Sequence, residues 1–187
     1  MAPPGVAPAG RMARAARAVE RVNMWIARSG AILFVALSLL VIVDVVGRQI
    51  FIISSIRSQE LEWYLHTVMF CCLVAATYDQ DRHVRVDIFR VHWSDKTRDR
   101  VEVAGIFLLL LPFATVMLIH SWGFVSQSFT TGETSSSSQG LPYKFLIKSF
   151  LLLAFGSLIA SAVARLMRLL AGAGEAPRWD LNIWDEE

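Results

Sequence analysis

Residues 79–90 read DQDRHVRVDIFR, which sets Asp79, Asp81, Asp87 and His83 among three arginines. Carboxylates beside an imidazole are the groups of acid–base chemistry and of divalent-metal sites. His83 and Asp87 are four apart, so a helical segment lets them hydrogen-bond on one face. An extended segment instead puts His83, Arg85 and Asp87 on one side. Whether such a cluster does chemistry depends on what lies around it, and here two long apolar runs flank it.

Other reactive groups sit inside those runs. Asp44 and Arg48 stand four apart and can pair on one helix face. An ionisable residue in an apolar span is expensive and faces protein or water. A proton relay needs successive titratable groups across the bilayer, and Asp44 has none at mid-depth. The pair therefore reads as a lock between helices or subunits. His66 and His120 allow a bis-histidine haem if they lie at similar depth on facing helices. Glu62 stands four residues before His66, which makes a simple hydrogen-bonded interface pair the plainer reading. Cys71 and Cys72 are the only cysteines. They are adjacent, lack the spacing of a zinc site, and read as buried thiols.

The elements that carry these residues follow from the apolar pattern. Of the 187 residues, 55% are hydrophobic and 18% charged, and the apolar ones are gathered in blocks. A bilayer core needs about 20 mostly apolar residues in a helix. Four blocks meet this, at residues 25–51, 61–78, 101–124 and 143–170. None alternates polar with apolar as a membrane strand does, and continuous apolar segments satisfy their backbone in lipid as helices. The predicted fold is an all-α integral membrane protein with four transmembrane helices. The first block is too long for a signal peptide and lacks a cleavage site.

Basic residues set the orientation. The N-terminal tail and the start of the first span carry Arg11, Arg14, Arg17, Arg21 and Arg28. Arg82, Arg85, Arg90, Lys96, Arg98 and Arg100 fill the middle loop, and the C-terminal end carries Arg165, Arg168 and Arg178. That is 14 of the 18 basic residues. Both termini and the middle loop are therefore expected in the cytoplasm. The same asymmetry explains the net charge of +2 without nucleic-acid binding. Residues 1–24 are expected to comprise a disordered tail and a basic amphipathic helix lying on the inner leaflet, with membrane lipid as its partner. Residues 25–170 form the membrane domain, and 171–187 a cytoplasmic tail.

Two further features concern packing and contact. Gly156, Ala160 and Ala164 repeat every four residues in the fourth span, a stripe that lets helices approach closely in lipid. Pro112 is expected to kink or loosen the third span. The outer loop TTGETSSSSQGLPYKF carries Glu133 and a hydroxyl run, with Gly140 and Pro142 marking a turn.

The segments DVVGRQIF, ELEWYLHTVMF, RHVRVDIF, LLLPF and ETSSSSQGLPYKFLIKSFLLLAF, in this order across four spans, resemble the small permease subunit of tripartite ATP-independent periplasmic transporters. The resemblance covers residues 28–170. It implies a secondary importer of organic acids, usually sodium-driven, fed by a periplasmic substrate-binding protein and residing in the bacterial inner membrane. In such a system a large transmembrane permease subunit holds the substrate and ion sites. The small subunit braces it and helps dock the binding protein. It is then no enzyme and needs no cofactor or metal. Asp44, Arg48, Glu62, His66, His83, Arg85, Asp87, Gly156 and Ala160 become structural or subunit-interface residues. Glu133, Ser135, Gly140 and Pro142 become docking residues. A membrane redox or haem subunit using His66, His120 and the cysteines is the rival from another class, and a stand-alone small channel a third reading.

Overall fold

In the computed structural model, residues 11–51, 55–80, 94–137 and 140–170 are described. The stretch 81–93, with His83, Arg85 and Asp87, lies outside them, as do both chain ends. The order is α1 (Arg11–Ile50), α2 (Ile56–Asp79), α3 (Asp95–Gly105), a π turn (Ile106–Leu110), α4 (Leu111–Thr130) and α5 (Lys144–Leu170). No strand occurs among the described residues. α5 is central and packs against α1, α2, α3 and α4, while α1 also packs along α2.

Three stretches are long and apolar enough to cross a membrane: Arg14–Ile50, Thr97–Thr130 and Lys144–Leu169. Expectation named four. At 24 residues, α2 reaches about 36 Å, enough to span. It carries Arg57, Glu60, Glu62, His66 and Asp79, which keep it below the apolarity of the other three.

Side-chain size is distributed inside out compared with a water-soluble bundle. The buried positions are mostly small: Ala16, Ala27, Cys71, Cys72, Ala75, Ala76, Ala114, Ala154 and Ala162. The large apolar groups, among them Phe34, Leu39, Phe107, Phe113 and Trp122, face outward. Lipid offers helices no hydrophobic incentive to bury Leu or Phe against each other, so close backbone approach of small residues does the packing. At Gly30, α1 approaches α2 closely. A Cβ there would lie 3.1 Å from the Cys72 Cβ and 3.3 Å from the Leu73 Cγ. Gly30→Val is accordingly expected to destabilise the chain by about 1–3 kcal/mol through overpacking. Gly123→Val, where nothing lies within 4 Å, serves as the near-neutral control in the same detergent unfolding assay.

α1 departs from the expected separate interfacial helix. It is one unbroken helix of 40 residues, and it crosses the expected boundary at residue 24 without a turn. Between Arg11 and Ile50 there is no proline, and its glycines do not interrupt the helix. The face bearing Ala16, Asn23, Ala27 and Gly30 is buried, so the basic lead-in stands in the bundle.

α3 starts at an N-cap. Ser94 is extended, and its side chain accepts from the Thr97 backbone N–H, satisfying one of the free donors of the first turn. The π turn follows at once. The Leu111 N–H bonds to the Ile106 carbonyl, five residues back instead of four. Pro112 sits at the start of α4, where its missing N–H would otherwise break the ladder.

Candidate functional site: the polar ends of the bundle

At the end where α1 meets α2, Arg48 and Ser58 both donate to Asp44, Ser58 Oγ at 2.7 Å from Oδ1. The Asp44 side chain is 4% exposed and that of Arg48 45%. The pair thus ties α1 to the first turn of α2 and leaves part of the guanidinium outward.

The loop between α4 and α5 closes over the same end. α4 ends in a Schellman motif, with Gly132 N–H bonded to Phe129 O and Glu133 N–H to Ser128 O. Gly132 takes φ 60°, the left-handed conformation that motif needs. Glu60, in the second turn of α2, then holds both sides of the loop. Its Oε1 accepts from Ser135 Oγ, and its Oε2 accepts from the Leu141 N–H at 2.5 Å. Gly140 is wedged against Ser135, and a Cβ there would also meet Glu60 Oε1 at 2.7 Å, so no side chain fits. Glu133 accepts from Lys148, and Lys144 lies 3.9 Å away. Lys148 also sits 3.7 Å from the centre of the Phe124 ring. Tyr143 adopts φ 65° just before α5 and is exposed beside Pro142. Its ring packs edge-on against Phe145, which in turn packs against Phe129.

Both carboxylates that hold the loop, Glu60 and Glu133, are held below the usual range. The Ser135 hydroxyl, then the Leu141 amide, lowers Glu60, and the Lys148 ammonium lowers Glu133. A carboxylate lowered by folding stabilises the folded form above its unfolded pKa, near 4.5, and loses that contribution as pH falls through the folded value. A spin label at Thr134→Cys is therefore expected to keep constant mobility from pH 8 to about 4.5 and to loosen only below. In Glu60→Gln it is expected to be more mobile throughout. A mobility rise centred above pH 6 would contradict the clamp.

The opposite end holds a second, more buried cluster. Asn23 Nδ2 donates to Asp79 Oδ2 at 2.8 Å and to Ser161 Oγ at 2.7 Å. Arg168 pairs with Glu20, and Arg165 Nε donates to Glu102 Oε1 at 2.7 Å. These bonds join α1, α2, α3 and α5. Sequence reading missed this cluster and also Glu60 and Lys148. Arg165 and Arg168 served only to set orientation. The usable signal was a polar residue on an otherwise small-residue face, as at Asn23 and Ser161.

Other predicted residues disperse. His66 and His120 are both exposed, and no packed seam joins α2 to α4. His120 Nδ1 lies 2.9 Å from its own helix carbonyl at Val116. Glu62 Oε1 and the Tyr64 hydroxyl are buried with no hydrogen-bond partner among the described residues. Within the chain the α5 seam runs through Ala154, Leu158, Ser161, Ala162 and Ala164. Ala160 is half-buried, and a Cβ at Gly156 would meet open space. Among the described residues no group of three His, Cys, Asp or Glu is arranged to hold a metal.

The arrangement is two polar clamps on an apolar bundle, with no reactive constellation between them among the described residues. Residues 37–172 match the family model described as tripartite ATP-independent periplasmic transporters, DctQ component. The chain belongs to this family. The DctQ component is a transporter component and not an enzyme family, and this member is a membrane protein of apolar helices. No curated relative and no solved structure matches the chain. The DctQ match takes in the whole Asp44 and Glu60 clamp and the α2, α3 and α5 sides of the Asn23 cluster. Glu20 and Asn23, the α1 side, precede it.

Proposed function

We propose that this DctQ component is the small scaffold subunit of a binding-protein-dependent secondary transporter that imports organic acids, coupled to sodium. Its four helices cross the bacterial inner membrane with both termini in the cytoplasm. The scaffold reading rests on one observation above all: among the described residues, two clusters of polar side chains, one at each end of the bundle, hold helices together. Transport chemistry therefore belongs to the large permease subunit, against which this chain braces.

Open Gly156, half-buried Ala160 and the part-exposed Arg48 support a contact with that subunit, because each leaves space or bonding capacity at the chain's surface; Glu62 and His66 remain assigned to the same contact from the sequence. The outer loop supports docking of the periplasmic binding protein. Its clamped form assigns Glu133, Ser135 and Gly140 to shaping the loop. Pro142 and Tyr143 present the surface. His83, Arg85 and Asp87 remain assigned to the cytoplasmic link between the second and third spans.

The test is reconstitution. Liposomes holding large and small subunits, supplied with binding protein outside, are expected to take up substrate down a sodium gradient, and omission of this chain is expected to abolish uptake. The purified chain alone is expected to bind no substrate. Uptake by this chain alone would overturn the scaffold reading. A Soret band in the purified protein would favour the redox alternative.

A further inference from the structure

α1 carries a continuous exposed strip that changes character once. Positions 14, 21, 28 and 35 recur every seven residues, and positions 25, 32 and 39 stand four residues after 21, 28 and 35, so all share one side of the helix. Arg21, Trp25 and Arg28 occupy the lower part of this strip, and Ile32, Val35 and Leu39 the upper part. All are exposed, Trp25 at 65%, Ile32 at 72% and Leu39 at 60%. The change from basic to apolar falls between Arg28 and Ile32, where the hydrocarbon layer would end.

Local charge is one-sided there. Glu20 is the sole acidic residue between Arg11 and Val43, and it turns inward onto Arg168. No α1 carboxylate therefore neutralises Arg21 or Arg28 along the strip. The Arg28 guanidinium lies 5.2 Å from the centre of the Trp25 ring, a stacking that holds the charge along the helix surface. Tryptophan and arginine together at this depth are the groups that meet lipid headgroups. Arg21 and Arg28 are seven residues apart, about 10 Å along the axis. That is comparable with a headgroup layer of roughly 5–8 Å once side-chain reach is added.

We propose that this strip is a binding site for an anionic phospholipid of the inner leaflet. Arg21 and Arg28 hold the phosphate, Trp25 lies beside the glycerol region, and one acyl chain runs along Ile32, Val35 and Leu39. Two guanidiniums with no carboxylate paired to them among the described residues select a lipid of net negative charge over a zwitterionic one. The site rests on the proposed membrane orientation for the word inner, but not for its chemistry.

The full chain, purified in detergent, is offered phosphatidylglycerol or phosphatidylcholine of identical acyl chains, and retained lipid is counted by native mass spectrometry. Wild type is expected to retain phosphatidylglycerol about tenfold better, a difference that two neutralised charges near a surface make reasonable. The Arg21→Gln/Arg28→Gln variant is expected to lose that preference. Arg14→Gln, about 10 Å beyond Arg21, is expected to keep it. Equal retention of both lipids by wild type, or an unchanged preference in the double variant, would overturn the proposal. Labelling of Arg14→Cys from one side of sealed vesicles reads the orientation separately. Access from the periplasmic side would refute the topology and leave the lipid result standing.

Discussion

Changing Arg168 to alanine is expected to lower the unfolding free energy of the chain by about 3–5 kcal/mol, the usual effect of stranding one charge of a buried pair. The Arg168 side chain is 9% exposed and that of Glu20 13%. Arg168 also stands in the last turn of α5, where a positive charge is favoured by the helix dipole. Removing it leaves the Glu20 carboxylate between helices, near Asp79, whose negative charge already opposes it. Glu20→Gln in the same background removes the stranded charge, so the double variant is expected to recover a large part of the loss. Contacting groups in one network couple by about 0.5–3 kcal/mol, and a double-mutant cycle in mixed micelles, followed by circular dichroism, measures that coupling. A cost below about 1 kcal/mol for Arg168→Ala would place the pair in the range of exposed ion pairs and remove this cluster as a lock.

The Asn23 and Arg168 cluster also shows where the sequence was readable and where it was not. All-helical structure and membrane association followed from apolar block length alone, because lipid leaves the backbone few alternatives. The Asp44–Arg48 spacing was legible for the same reason: both partners lie on one helix turn. Asn23 bonds to residues 56 and 138 positions away, and no local pattern encodes that. The charged lead-in of α1 resembled a surface helix because its basic strip is local while its buried partners are remote. The loop posed a similar problem. Serines suggest flexibility, yet the structure pins Ser135 with Glu60, a residue 75 positions earlier. The small-residue stripe was only partly legible. Gly156, Ala160 and Ala164 share spacing, but small size cannot tell an internal seam from an outward one, and Gly156 faces open space. Pro112 was a true signal of irregularity, though it gave no hint of the direction of the change.

That direction yields the second large effect. Ile106, Ala114, Ser121 and Ser128 are buried, and their separations are eight, seven and seven residues. At roughly 100° per residue, seven residues fall about 20° short of two turns and eight overshoot by about 80°. An uninterrupted α-helix would therefore turn Ile106 away from α5 and carry Glu102, one turn earlier, away from Arg165. The π turn takes up one extra residue and returns both to the seam. Pro112 follows at the point where the normal ladder cannot form. Deleting Leu109, which is exposed, is thus expected to convert the wide turn to α-helix with the seam still in phase. The cost should stay near the range of surface changes, within about 1 kcal/mol. Deleting Ile119, equally exposed but inside α4, instead rotates everything on its N-terminal side by about 100°. Glu102 then leaves Arg165, Ala114 leaves the seam, and the protein is expected to lose about 3 kcal/mol or more and to accumulate poorly in membranes. Membrane yield and unfolding of the two deletions side by side check this. If they fail equally, the extra residue is not what keeps α3 and α4 facing α5.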